Sequence, residues 1–155
     1  MKGTNIAEQF HVVNLYPPVS VSTGATETEI FFMGNYGHAS IIVQFGATDS
    51  DAGNLTIEEC DDFSGSNDTA ISFDYWAETT ALGDTLAAKV NAASINVSAN
   101  DNIFYVIEID ASQLTADYPY LQLKWSSPGG ATVISAVAIL SGSRYAEESS
   151  ATAII

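Results

Sequence analysis

The sequence predicts an all-β fold, a single antiparallel β-sandwich or jelly roll with extended N- and C-terminal arms. Apolar residues alternate with polar ones in six segments, which is the period of a half-buried strand. These segments are rich in β-branched and aromatic residues, and clusters of Gly, Asn, Asp, Ser and Pro separate them. Residues 1–7 and 146–155 fall outside the pattern, so we divide the chain into an N-terminal arm (1–7), a sandwich domain (8–145) and a C-terminal tail (146–155).

Each strand is predicted from its apolar alternation. The residues expected on one face of each are Ala39, Ile41, Val43 and Phe45; Leu55 and Ile57; Ile71, Phe73 and Tyr75; Ile103, Tyr105, Ile107 and Ile109; Leu121, Leu123 and Trp125; and Val133, Val137 and Ile139. A first strand is expected at residues 10–15, and the following Pro17-Pro18 pair either ends it or carries it along a sheet edge.

Two turn clusters predict hairpins. Residues 34–37 (Gly-Asn-Tyr-Gly) would join strands at 29–33 and 39–46. Residues 126–130 (Ser-Ser-Pro-Gly-Gly) would join the next pair, at 120–125 and 131–140.

Two other segments lack a clear strand pattern. Residues 79–93 are expected to form a long loop with an irregular strand, because Gly83 and the surrounding Thr and Asn residues disfavour a helix. Residues 111–114 (Ala-Ser-Gln-Leu) are expected to form one helical turn between strands.

The charge balance excludes whole classes of partner. The 155-residue chain has 19 acidic and 4 basic residues, a net charge of −15 and a pI of about 4.1. Nucleic-acid phosphates and anionic membrane surfaces are recognised by Lys and Arg, so we expect no nucleic acid and no membrane among its partners. The 46% hydrophobic content is that of a folded domain rather than an acidic disordered tail.

The compartment is inferred from the N-terminus and the single cysteine. No apolar signal segment follows Met1, and no run of residues reaches the length of a membrane span, so we expect a soluble protein made in a cytoplasm. Cys60 lies among Glu58, Glu59 and Asp61, which would raise its pKa and make the thiol inert.

No set of residues predicts catalysis. The two histidines, His11 and His38, have no nucleophile motif beside them, and they are too few for a zinc site. Glu58, Asp74 and Glu108 fall on the polar side of their strands, where a solvated face is the expected environment. We therefore expect no enzyme activity, no catalytic residues and no cofactor.

Two binding sites are weighed against simpler explanations. Asp49 and Asp51 open a segment with the rhythm of a calcium loop, but Cys60 stands where its bidentate Glu belongs, so a solvated acidic turn is the favoured interpretation. Trp76 and Tyr120 are candidate platforms for sugar rings, although packing explains such aromatic residues equally well.

The two ends of the chain supply candidate interface residues. Ile6, Phe10, Ile154 and Ile155 are apolar residues in or beside the arms. One interpretation is that the arms are frayed termini. The other is that they become ordered against a neighbouring protein, with the two C-terminal isoleucines as an anchor.

The C-terminal half resembles small virion proteins of tailed bacteriophages. The resemblance is carried by residues 104–114 (Phe-Tyr-Val-Ile-Glu-Ile-Asp-Ala-Ser-Gln-Leu), 118–124 (Tyr-Pro-Tyr-Leu-Gln-Leu-Lys) and 136–145, which ends in Gly-Ser-Arg-Tyr. Residues 41–47 and 55–62 are similar to the opening pattern of those proteins, in which a strand is followed by Gly-Ala, a loop and a second strand. The likeness covers most of residues 28–145.

This resemblance implies a non-enzymatic decoration or cement protein that sits on the outside of a phage capsid and bridges major capsid subunits. Its partners would be the major capsid protein and copies of itself, as a dimer or trimer. It would be made in the bacterial host cytoplasm and located on the capsid surface of the virion. The alternatives are a carbohydrate-binding β-sandwich module on a particle surface and a structural component of the tail or neck.

Overall fold

Two antiparallel six-stranded sheets pack against each other and confirm the predicted sandwich class. The computed structural model describes residues 3, 5–22, 24–48, 53–97, 101–126, 129–144 and 152–154. Helical structure in these residues consists of a four-residue helix α1 (Ile6–Gln9) and a 3-10 helix (Ala111–Gln113).

The strands are distributed between two sheets, which we call sheet A and sheet B. Sheet A has the order β1-β12-β4-β10-β7-β8, with bounds β1 His11–Val21, β12 Thr132–Ser141, β4 His38–Phe45, β10 Phe104–Asp110, β7 Phe73–Ala77 and β8 Val90–Ala92. Sheet B has the path β2-β11-β5-β6, with bounds β2 Thr26–Glu27, β11 Tyr120–Trp125, β5 Asn54–Cys60 and β6 Asp68–Ala70. Two short strands complete sheet B: β3 (Phe31–Phe32) pairs with β11, and β9 (Ile95–Asn96) pairs with β5.

The core lies between the sheets and is built from the inward residues of the alternating strands. Ile41, Ile57, Ile107 and Leu121, all predicted to share such a face, are fully buried. The Phe45 ring meets the rings of Tyr105 in sheet A and Trp125 in sheet B edge to face, at centroid distances of 5.8 and 5.2 Å. These aromatic contacts connect the two sheets through one continuous core.

The predicted face of β12 is wrong. Val133, Val137 and Ile139 point outward, and the inward residues are Ile134, Ala136, Ala138 and Leu140. The strand is apolar on both alternations, so its own pattern does not select the buried face. The pairing with β4 selects it, since Ala136 and Ala138 lie opposite the inward-facing Val43 and Ile41.

Both predicted hairpins are wrong as well. Residues 34–37 connect β3 in sheet B to β4 in sheet A, and residues 126–130 connect β11 in sheet B to β12 in sheet A. Turn residues indicate where the chain reverses, but they do not specify which strand it pairs with afterwards. At the first connection, Tyr36 is buried and stacks on the His11 ring, so the turn also contributes to the core.

Other local predictions are confirmed. Residues 79–93 form an irregular loop that ends in the short strand β8, and the expected helical turn is the 3-10 helix at Ala111–Gln113. The first strand continues past Pro17 and Pro18 as an edge strand with two register irregularities, which is where a sheet accommodates residues without an N–H donor.

The two ends of the chain differ where they are described, since α1 has no buried residue and residues 153–154 pack on the core. Ile6 is exposed in α1, and Phe10 follows at the start of β1. Ala153 is buried, its carbonyl accepts a 2.8 Å hydrogen bond from the Phe32 N–H, and Ile154 packs on the core. Ile155 lies outside the described residues, and the assignment of these residues to an interface stays a prediction.

Candidate functional site

The outward-facing side of sheet A carries an unusual number of apolar side chains, and we call it the A face. Its members on the central strands and edge strand β1 are Val12, Ile42, Trp76, Phe104, Val106, Val133, Val137 and Ile139. Cross-strand register aligns four of them, Val137, Ile42, Val106 and Trp76, in one row across β12, β4, β10 and β7. Directly opposite residues share a face of the sheet, so this row is a continuous apolar stripe.

The A face is open to solvent. Val12, Ile42 and Val133 are 49%, 37% and 39% exposed, and the other members are partly exposed. Single exposed apolar residues are ordinary on protein surfaces, whereas a contiguous apolar patch marks an interaction site. The A face is therefore a candidate interaction surface.

An acidic cluster borders the stripe at one end of the A face. The next row of the sheet includes Ser40, Glu108 and Asp74 on β4, β10 and β7. His38 lies between two carboxylates, with Nε2 2.5 Å from Glu108 Oε2 and Nδ1 2.8 Å from Asp110 Oδ1. We call His38, Glu108, Asp110 and Asp74 the acidic cluster.

The geometry of this cluster is that of a charge clamp rather than a catalytic triad. The Ser40 hydroxyl donates to Glu108 at 2.6 Å, so its proton is directed at a carboxylate and not at the imidazole. Burial lowers the pKa of His38, but the hydrogen bonds to Asp110 and Glu108 outweigh it and raise the pKa above its ordinary value of 6.5. Both ring nitrogens then donate, which only the protonated imidazole can do.

Asp74 and Glu108 lie directly opposite each other on neighbouring strands, an arrangement that is destabilising for like charges. Each carboxylate has its own compensating donor. Lys89 Nζ and Asn91 Nδ2 reach Asp74 at 2.8 and 2.7 Å, and these contacts lower the pKa of Asp74. These donors therefore favour the ionised form of Asp74 beside the apolar stripe.

A protruding leucine lies at the other end of the A face. Leu82 is 97% exposed and adopts a left-handed backbone conformation (φ 59°), which is uncommon for this residue type. Leu82, Gln44, Val133 and Ser135 border a groove of about 280 Å³. Strained residues of this kind concentrate at functional sites.

The loop that presents Leu82 is held by a buried carboxylate. Glu78 is only 5% exposed, and its oxygens accept hydrogen bonds from the N–H groups of Gly83 at 2.6 Å and Phe104 at 3.2 Å. Glu78 thus ties the loop to the end of β10. Sequence analysis missed this residue, and the only available signal was an acid at the end of an apolar strand.

The outward-facing side of sheet B, which we call the B face, has the opposite character. Lys124 near its centre forms ion pairs with Glu27, at 3.2 Å, and with Asp68. The Thr56 hydroxyl donates to Glu58 at 3.0 Å on the neighbouring part of β5. Lys124 offsets part of the negative charge of this surface, and its polar and charged side chains give it the character of a solvated face.

The predicted inertness of Cys60 agrees with its environment. The thiol is buried at the end of β5, and its pKa is raised to about 11, first by burial and then by the charge of Asp68, while Lys124 acts in the opposite direction. Because the thiolate is the nucleophile, the thiol is unreactive near neutral pH. Burial, more than the neighbouring acids in the sequence, is the cause.

The calcium candidates Asp49 and Asp51 lie outside the described residues. Nearby, Asp101 Oδ1 accepts 2.6 Å hydrogen bonds from the N–H and the hydroxyl of Thr48. This carboxylate therefore joins the segment after β4 to the segment before β10. Within the described ranges, no three His, Cys, Asp or Glu side chains form a group suited to a metal ion.

The two aromatic candidates differ in their surroundings. Trp76 is half-buried at the end of the apolar stripe. Tyr120 packs on the Phe32 ring at a centroid distance of 5.0 Å. A sugar ring would therefore have more room to stack on Trp76, whose side chain belongs to the A face.

A second buried acid was also missed by sequence analysis. Glu59 is 4% exposed and its Oε2 accepts a 2.8 Å hydrogen bond from the N–H of Thr115. It ties β5 to the segment after the 3-10 helix and therefore has a structural role. As for membranes, no helix in the described part of the chain has the length and apolar character required to span one.

Comparison with known proteins finds likenesses among solved structures, at low sequence identity. No protein-family model and no curated protein matches the chain. The SPBc2 prophage-derived protein YomS has a TM-score of 0.49 at 14% identity, covering 84% of this chain and 93% of that chain. A chain of desmodium yellow mottle tymovirus has a TM-score of 0.24 at 10% identity, covering 96% and 97%. The fold assignment above depends on the observed strand pairing and not on these likenesses.

Proposed function

We propose that this chain is a non-enzymatic structural protein of a phage particle, which decorates the outside of the capsid and stabilises it by bridging major capsid subunits. The observation that supports this function is the contrast between the two outer surfaces. The A face is apolar and open, whereas the B face carries polar and charged side chains, among them Lys124, Glu27 and Asp68. A protein that lies on a shell needs one surface to dock and another to face water.

The physical effect of such a protein follows from mass action. A protein that binds assembled shells but not dissociated subunits shifts the equilibrium toward the shell. Many copies on a symmetric lattice make modest individual contacts collectively strong. The net charge of −15 keeps free copies apart before they bind. Self-association as a dimer or trimer on the shell stays a prediction.

The resemblance of residues 28–145 to small virion proteins of tailed phages supports the same function. The test uses the phage whose genome encodes the chain and a derivative with this gene deleted. We expect mass spectrometry to find the protein in purified wild-type particles, and purified protein added to the deletion particles to co-sediment and raise their disruption temperature. Absence from purified particles would contradict the proposal, and recovery with isolated tails instead of heads would favour the tail or neck alternative.

A further inference from the structure

We propose that the A face is the docking surface, and that it binds a partner protein surface in which an apolar ridge is bordered by Lys and Arg side chains. This inference rests on the proposed function and names the chemistry of the shell surface beneath the protein. It assigns the contact to the sheet, whereas sequence analysis placed it on the arms.

The apolar part of the partner surface is argued from the stripe. Val137, Ile42, Val106 and Trp76 cross four adjacent strands, and Val12 and Ile139 extend the apolar area toward edge strand β1. Covering these side chains removes apolar surface from water without rearranging the strands. The partner must therefore present apolar atoms along a line that crosses the strands.

The basic part is argued from charge complementarity. Glu108, Asp110 and Asp74 lie within or next to the docking surface, where His38 and Lys89 offset them only in part. Carboxylates that lose water on docking need cationic or hydrogen-bonding partners. A partner with Lys or Arg beside its apolar ridge supplies them.

A second copy of this chain does not supply those cations. Its four basic residues are Lys2, Lys89, Lys124 and Arg144. Among the described ones, Lys89 is already paired with Asp74, Lys124 belongs to the B face, and Arg144 lines a pocket beside residues 114–119 rather than the A face. Electrostatic repulsion between two chains that each carry a net charge of −15 also opposes face-to-face pairing. The occupant is therefore a different protein.

The groove at the opposite end defines the extent of the contact. Leu82 projects from a loop fixed by Glu78 and borders the groove beside Val133. We expect this side chain to contact the partner at the end of the ridge that lies away from its basic residues. The docking surface is thus asymmetric, with the acidic cluster at one end, the stripe in the middle and Leu82 at the other end. This asymmetry fixes the orientation of docking.

The experiment compares Ile42→Asp with Asn54→Asp on shells of the encoding phage that lack this protein. Both variants add one negative charge at a strand position, the first on the A face and the second on an exposed position of β5 in sheet B. We expect Ile42→Asp to weaken shell binding at least about tenfold, because a charge is placed in an apolar contact, and Asn54→Asp to change it less than about twofold. Thermal unfolding of each variant confirms that the fold is retained.

A third variant, Val137→Thr, preserves the β-branched shape. It keeps the test decisive if Ile42→Asp does not fold. It is expected to weaken binding while remaining folded. Raising NaCl from about 50 to about 500 mM is expected to weaken wild-type binding, because salt screens the contact between the acidic cluster and basic side chains.

Each outcome separates the two proposals. If wild-type protein fails to bind shells, the proposed function itself is contradicted. If wild-type and folded Ile42→Asp and Val137→Thr bind equally, or if Asn54→Asp is the variant that loses binding, the assignment of the A face is wrong while the proposed function stands. Salt-independent binding would overturn the basic part of the partner surface. A wild-type oligomer that Ile42→Asp dissociates would show that a second copy covers the face.

Discussion

Replacing Glu78 with Ala removes a buried carboxylate that accepts hydrogen bonds from two backbone N–H groups. Glu78 is 5% exposed and accepts from Gly83 at 2.6 Å and from Phe104 at 3.2 Å. A hydrogen bond to a charged group contributes about 1.5–3 kcal/mol, and the loss at Gly83 is reduced because the N–H of this exposed residue also donates to the Thr80 carbonyl at 3.0 Å. We therefore expect the variant to lose about 2–4 kcal/mol of the free energy of unfolding, a fall in Tm of about 4–16 °C for a domain of this size.

The assay is thermal and urea unfolding followed by circular dichroism, with Glu29→Ala as the control. Glu29 is an exposed acid of the same type, and its removal is expected to change the free energy of unfolding by less than about 0.5 kcal/mol. Glu78→Gln keeps one acceptor oxygen and should lie between wild type and Glu78→Ala. Equal Tm values for Glu78→Ala and Glu29→Ala would refute the role of this carboxylate in holding the loop.

Three further predictions concern stability and docking. Because the folded-state pKa of His38 is raised, its contribution to the free energy of unfolding is fully present below pH 6.5 and is lost as the pH rises through the raised value. The Tm measured across that window should fall in wild type but not in His38→Asn. Parallel curves for the two proteins would contradict the clamp. Leu82→Asn should leave Tm equal or raise it, since Asn tolerates the left-handed conformation, yet should weaken co-sedimentation with shells; unchanged binding would remove Leu82 from the contact. A chain ending at residue 151 should unfold at lower temperature, because buried Ala153 and its bond to Phe32 are lost, and an unchanged Tm would show that these residues only rest on the surface.

The strands could be predicted from the sequence because alternation reports burial directly. Segments with one apolar face, such as β5 and β11, are placed correctly, and their inward residues form the core. In β12 both faces are apolar, and the outward one was mistaken for the core face. The A face is therefore not evident from the sequence, since Val133, Val137 and Ile139 are three of its apolar residues.

Strand pairing could not be predicted, because turns are local and partners are distant. The acidic cluster illustrates the difficulty, since His38 and Glu108 are 70 residues apart and meet only when β4 pairs with β10. Each looked like a solvated polar residue by itself. Likewise, Glu78 reads as a surface acid until the loop that follows it folds back onto its carboxylate.

The central claim is that the A face is covered on the shell and the B face is not. Thiol labelling of Ile42→Cys and Asn54→Cys, free and shell-bound, tests it directly, and the buried Cys60, whose pKa is about 11, adds little background. We expect maleimide to label both variants in the free protein, and shell binding to protect position 42 while position 54 stays reactive. Protection of position 54 with continued labelling at position 42 would contradict the account.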